Sequence, residues 1–121
     1  MKYKFEINTR LPSYNEYSNA NRRNRYAGAT MKKNIELEIW SYILNQLKNV
    51  KITKPVFITF TWIEENKKRD LDNICFAKKF ILDALQKANI IENDNSRHVK
   101  GFTDKFEYAE KSKVIVELEE I

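Results

Sequence analysis

The sequence predicts an α+β fold: a two-layer sandwich in which a mixed β-sheet carries two helices on one face, in the order β-α-β-α-β-β. Three observations lead there. Apolar residues alternate with polar ones near both ends of the chain, at Tyr3, Phe5 and Ile7 and again at Val114, Val116 and Leu118. Two stretches between them repeat apolar residues at steps of three and four, the period of a helix with one buried side. With 121 residues, 42% hydrophobic, and only two Gly and two Pro, the chain suits one packed domain over 1–121 and excludes a low-complexity tail.

Residues 2–7 form the first strand, with Lys2, Lys4 and Glu6 turned away from the apolar face. Residues 8–31 hold Asn, Ser, Pro and three close arginines without an apolar period, so they read as a long loop with at most a short helical turn. Together with Lys32 and Lys33 they make a basic N-terminal loop segment, 8–33. From Met31 to Val50, the spacing of Ile35, Ile39, Trp40, Ile43, Leu44, Leu47 and Val50 predicts an amphipathic helix. After Pro55, Val56, Ile58, Phe60 and Trp62 line one face of a strand, and Phe57 and Ile63 make the other partly apolar, which suits an interior strand. Trp40 and Trp62 are both expected in the core.

Glu64–Arg69 reads as a charged turn, and Asp70–Asn89 as a second helix whose inward stripe is Ile74, Ala77, Ile81, Leu85 and Ala88. A polar turn, Glu92–Ser96, precedes two closing strands over His98–Tyr108 and Ser112–Glu119. Cys75 is expected to pack within the helix and His98 to sit at a strand edge.

Charge narrows the partners. The net charge is +5, and its placement is uneven: residues 1–33 hold eight basic residues against Glu6 and Glu16, while the remaining 14 basic residues face 15 acids. A polyanion therefore fits the N-terminal part, and the rest has carboxylates to spare. One cysteine and one histidine exclude an intramolecular disulfide and a Cys/His zinc cluster, so any metal must be held by oxygen. MKYKFEINTR has no apolar run of signal-peptide length, and nowhere do 18 apolar residues run together, so the expected address is cytoplasmic and no membrane partner is expected.

The carboxylates gather around the second helix. Asp70 and Asp72 lie two apart at the strand-to-helix junction, where ordinary capping by aspartate is an equally good explanation. Taking Ile74 as zero, Lys79, Asp72 and Asp83 fall at about 140°, 160° and 180°, on the side away from the buried stripe. A solvated face with a Lys79–Asp83 pair at i, i+4 would look the same. Asp94 follows in the Asn-rich turn, where a turn-forming role competes with metal binding. As a set, Asp70, Asp72 and Asp94 supply what Mg²⁺ prefers, hard oxygen ligands completed by water and phosphate. One straight helix of 17–19 residues would run about 25–28 Å and hold its two ends apart. Either the helix begins later or is broken, or the site draws on two subunits.

Arg69-Asp70-Leu71-Asp72-Asn73, then Lys79-Phe80-Ile81-Leu82-Asp83-Ala84-Leu85, then Asn93-Asp94, resembles the signature of the RusA-like Holliday junction resolvases of bacteria and their phages. Leu11-Pro12-Ser13-Tyr14-Asn15-Glu16 and the basic segment after it resemble the start of that family. The resemblance implies a Mg²⁺-dependent endodeoxyribonuclease, with Mn²⁺ as an alternative ion and no organic cofactor, working in recombination and repair in a bacterial host cell. It implies a homodimer that cuts branched DNA across a four-way junction. The family's essential aspartates map onto Asp70, Asp72 and Asp94, as both metal-binding and catalytic residues. Its lysine, counted back four from the Asp of D-A-L, maps onto Lys79. Because this chain is longer between Asp72 and Asp83 than the shortest members, counting forward lands on Phe76 instead, and Lys78 remains a rival. Where some members have a second acid before Asp94, this chain has Asn93, a departure that bears on metal binding.

Arg22, Arg23, Arg25, Lys32 and Lys33, with Arg69, are then candidates for phosphate contacts that position DNA without reading bases. A solvated basic loop is the plainer alternative. A non-catalytic junction-binding accessory protein is the competing function, with the acids acting as caps and salt bridges. A small RNA-binding domain is weakened by the lack of an aromatic RNP-like strand.

Overall fold

Apolar alternation becomes four strands in a computed structural model that describes all 121 residues. The elements are β1 (Lys2–Ile7), α1 (Tyr14–Arg23), α2 (Arg25–Gln46), β2 (Val56–Glu64), α3 (Leu71–Cys75), α4 (Lys78–Lys87), β3 (Val99–Tyr108) and β4 (Lys113–Glu120). The sheet order is β1-β4-β2-β3, with β2 and β3 parallel and the other neighbours antiparallel. The predicted mixed sheet and α+β class hold. The two closing strands, consecutive in sequence, do not pair with each other; they flank β2, which is the interior strand expected of its two apolar faces.

Phe5 lies opposite Val116, and Val116 opposite Phe60, so one face of the sheet carries a continuous apolar layer with Ile7, Val56, Ile58, Trp62, Val114 and Leu118. Onto it pack Ile39 and Ile43 of α2 and Ile81 and Leu85 of α4. The opposite face is crossed by ion pairs, Lys2–Glu117 at 3.2 Å and Lys113–Glu6 at 2.7 Å. This face is mixed: Phe57, Ile63 and Ile115 lie among the charges, and the cross-strand ion pairs keep the part near β1 wettable. No helix is long and apolar enough to cross a membrane.

Three expectations are corrected. The basic segment 8–33 is largely helical, not a loop. Ser13 and Glu16 form a reciprocal cap that starts α1, and the Asn24 side chain accepts from the Tyr26 and Ala27 N–H groups to start α2. Polar composition concealed this, because α1 buries only Ala20. Where α2 crosses α1, Gly28 lies against the exposed Asn21 side chain, which would have to swing aside for a Cβ at that position.

The second helix is broken, one of the alternatives its length left open. Between α3 and α4 the backbone tightens to i→i−3 bonds, from Ala77 N–H to Ile74 and from Phe80 N–H to Ala77. There the Phe76 ring sits 5.2 Å from Tyr14, 5.6 Å from Tyr17 and 5.6 Å from Phe80, an aromatic anchor against α1. Finally, Trp62 is in the core but Trp40 is 38% exposed, on an outer stripe of α2 with Leu37 and Leu44.

Candidate active site

The D-L-D segment is held from behind by Arg69. Its guanidinium donates to both Glu64 oxygens at 2.8 Å and to the Leu11 carbonyl at 3.0 Å, with Glu16 3.6 Å away. Only 14% of the side chain is exposed. The fork that was a candidate for phosphate is thus engaged inside the protein, tying the end of β2 to the segment before α1.

From this anchor Asp70 enters α3 in extended conformation, its carbonyl taking the Ile74 N–H at 3.1 Å while its side chain makes no capping bond. Asp72 follows in the first turn, one of its oxygens accepting the Asn73 N–H at 3.0 Å. Both are exposed, and neither forms an ion pair with any lysine, arginine or histidine of the chain. The capping alternative therefore fails for the Asp70 side chain.

Asp94 has different company. The Lys79 ammonium lies 3.2 Å from Asp83 and 3.7 Å from Asp94, and Lys32 approaches Asp83 from α2 at 3.6 Å. The hydrogen bond to Asp83, with the charge of Asp94, holds Lys79 above its usual pKa against slight desolvation. Lys78 turns elsewhere, to Asp104 of β3 at 2.7 Å, above the rings of Phe102 (4.8 Å) and Phe60 (5.5 Å). Of the two rival lysines, Lys79 is the one beside Asp94.

Within one chain, no three Asp, Glu, His or Cys side chains gather as a metal-binding group, so the fold does not bring Asp70, Asp72 and Asp94 together. Among the other basic candidates, Arg22 and Arg23 project from the last turn of α1 and Lys33 from α2, all exposed or half-exposed and without ion-pair partners. Arg25 lies over the Tyr26 ring at 5.0 Å and donates to its hydroxyl at 2.9 Å. They stand at the corner where α1 gives way to α2.

One charged group went unnoticed in the sequence. Asp104 accepts from the Trp62 indole N–H at 2.9 Å and from Lys78, placing an acid between the aromatics Phe102 and Phe106 of β3. Burial, and then the charge of Asp104, push the nearby Cys75 thiol up, so it is a poor nucleophile at neutral pH. The alternation Phe102-Asp104-Phe106 was its only signal.

A sequence model of one family, endodeoxyribonuclease RusA, matches residues 3–119. The chain belongs to the RusA endodeoxyribonuclease family. The match runs from β1 to β4, leaving out only Lys2 and Glu120 of the elements, so the helical corner, the Arg69 anchor and the D-L-D segment are all parts of a RusA-family domain. No curated protein matches the sequence.

Proposed function

We propose that this RusA-family chain is a metal-dependent endodeoxyribonuclease that cuts branched DNA, four-way junctions above all, as a symmetric dimer in recombination and repair. The observation that carries the proposal is the pair of exposed carboxylates, Asp70 and Asp72, left without counter-ions in a chain with 22 basic residues. Carboxylate oxygens without a counter-ion in the chain are open to a cation from outside it.

The donor set fits Mg²⁺ or Mn²⁺, since Mg²⁺ is commonly bound through one or two carboxylates plus substrate phosphate oxygens. Asp70 and Asp72 would hold the ion, and Asp94, which does not join them within one chain, would come from the second subunit. Such an ion supplies an activated water and stabilises the charge that builds on the phosphate oxygens. Lys79 stays protonated at neutral pH and is suited to hold a phosphate oxygen near Asp94. Arg22, Arg23, Arg25 and Lys33 hold the DNA backbone on the α1–α2 corner, with weaker help from Lys32, which is shared with Asp83. Arg69 does not touch DNA; it positions Asp70.

The test is incision of matched linear, forked and four-way substrates with and without Mg²⁺, wild type against Asp72→Asn. The proposal expects metal-dependent cuts at symmetric positions of the four-way substrate, lost in Asp72→Asn with junction binding kept. The accessory-protein reading draws on the Lys79–Asp94 pair, in which the acid is already satisfied. Salt-sensitive binding without cutting in any divalent metal would decide for it.

A further inference from the structure

The sheet has two edges, and the chain treats them differently. At β1 the open edge is blocked: the Gln46 side chain of α2 accepts the Glu6 N–H at 2.8 Å and donates to the Glu6 carbonyl at 2.7 Å, taking the place of a neighbouring strand. At β3 nothing takes that place. The Ala109 N–H bonds the Glu64 carbonyl at 3.0 Å, so beyond the bulge at Lys100 the odd-numbered residues of the strand, from Gly101 on, face β2. By alternation, the N–H and C=O groups of Phe102, Asp104, Phe106 and Tyr108 face outward, and no side chain of the protein bonds to them. An edge of ten residues with Phe102 41% and Tyr108 46% exposed is a template for another strand.

The side chains on this edge say which strand fits. In an antiparallel pair of two identical strands, outward-facing residues must meet outward-facing residues, so the two-fold axis passes through a residue. Centring on Asp104 or Glu107 opposes two carboxylates, and centring on Lys105 opposes two ammonium groups. Centring on Phe106 sets ring against ring and places Lys105 of each copy opposite Glu107 of the other, twice over. Lys105 and Glu107 are both exposed and neither has an ion-pair partner within the chain. Opposite charges at a non-hydrogen-bonded antiparallel position stand at close range, where they contribute most.

We propose that the bare edge of β3 docks a second copy of this chain, the two β3 strands pairing antiparallel about Phe106 to join two four-stranded sheets into one of eight. This rests on the reading of the protein as a symmetric dimer and gives that dimer its surface. The pairing runs the start of one β3, which follows the Asp94 turn, toward the end of the other, beside the β2 end that leads to Asp70.

Sedimentation equilibrium of the full chain tests it with two charge reversals that leave the core untouched. Lys105→Glu and Glu107→Lys each turn two attractive pairs into two repulsive ones, and each variant alone should dimerise roughly ten- to thirtyfold more weakly than wild type. Mixed in equal amounts, the two variants regain complementary charges at every position and should form a heterodimer of wild-type affinity. If each reversal leaves dimerisation unchanged, or the mixture fails to recover, the β3 surface is wrong while the dimer stands. A wild-type chain that stays monomeric overturns the surface and the symmetric dimer together. Metal-dependent cutting of DNA is measured separately, so a failed β3 surface leaves the nuclease reading standing.

Discussion

Two acidic regions of similar composition are treated in opposite ways. Asp83 and Asp94 are neutralised by Lys79 and Lys32 from two helices, whereas Asp70 and Asp72 have no cation of the chain beside them. The first arrangement is one a protein makes for its own stability, joining α2, α4 and the turn before β3. The second leaves negative charge for something outside the chain. The contrast teaches that the candidate residues fall into a stabilised group and an open group, which can be perturbed one at a time.

Asp72→Asn should show the largest effect, a loss of junction cutting of about a thousandfold or more, near 4 kcal/mol in barrier. Its melting temperature should stay within about 2 °C of wild type, because an exposed side chain away from the core is changed. A large fall in melting temperature would place Asp72 with the stabilised group instead. Arg69→Leu strips the counter-ion from Glu64, which is 9% exposed, and should lower stability by roughly 2–3 kcal/mol in urea unfolding. Cutting should fall with it, since Asp70 loses its anchor; unchanged stability would remove Arg69 from its positioning role.

Lys79→Met tests the other group more gently. The side chain is 58% exposed, so stability should drop by less than about 1 kcal/mol while cutting falls about tenfold. Because the Lys79 pKa is raised above its ordinary 10.5, the ammonium persists through neutral pH, and the pH–rate profile of the wild type should show no loss from this group below that value. The smallest effect concerns acid. Burial opposes the Glu16 carboxylate, but hydrogen bonds from Arg10 and Ser13 outweigh it and keep its pKa below 4.5; a hydrogen bond from Lys113 does the same for Glu6. Both folded-state values are depressed, so their stabilisation is complete above 4.5 and is lost as pH falls through the folded pKa. Melting temperatures should decline only slightly there, as both carboxylates are more than a third exposed.

The sheet was legible because period-2 alternation and burial coincide at Phe5, Ile7, Val114 and Val116. The α1 helix was not, since its start rests on the Ser13–Glu16 cap and its burial on Ala20 alone. Likewise the periodic stripe through Ile74, Ala77 and Ile81 is continuous, so nothing in its spacing reveals that Phe76 breaks the helix by docking on tyrosines far earlier in the chain. Within the site, residue type identified Asp70, Asp72 and Asp94 as oxygen donors, yet which lysine stands beside Asp94 depended on the direction α4 takes after the break. Arg69 and Asp104 show the same limit: their partners, Leu11 and Trp62, are distant in sequence, and only the tertiary fold brings them together.

The Gln46 clamp on β1 has a consequence for how the chain is made. Lys2 pairs with Glu119 and Ile7 with Val114, so the first strand of this domain is synthesised long before the segment that completes its sheet. At about 5–20 residues per second, that interval is on the order of 5–20 s, during which β1 is an unpaired hydrophobic strand exposed to the nascent chain's surroundings. Gln46 emerges far sooner, and its amide satisfies the Glu6 backbone from the side away from β4. Because those bonds lie on the edge that β4 does not use, pairing with β4 leaves them in place.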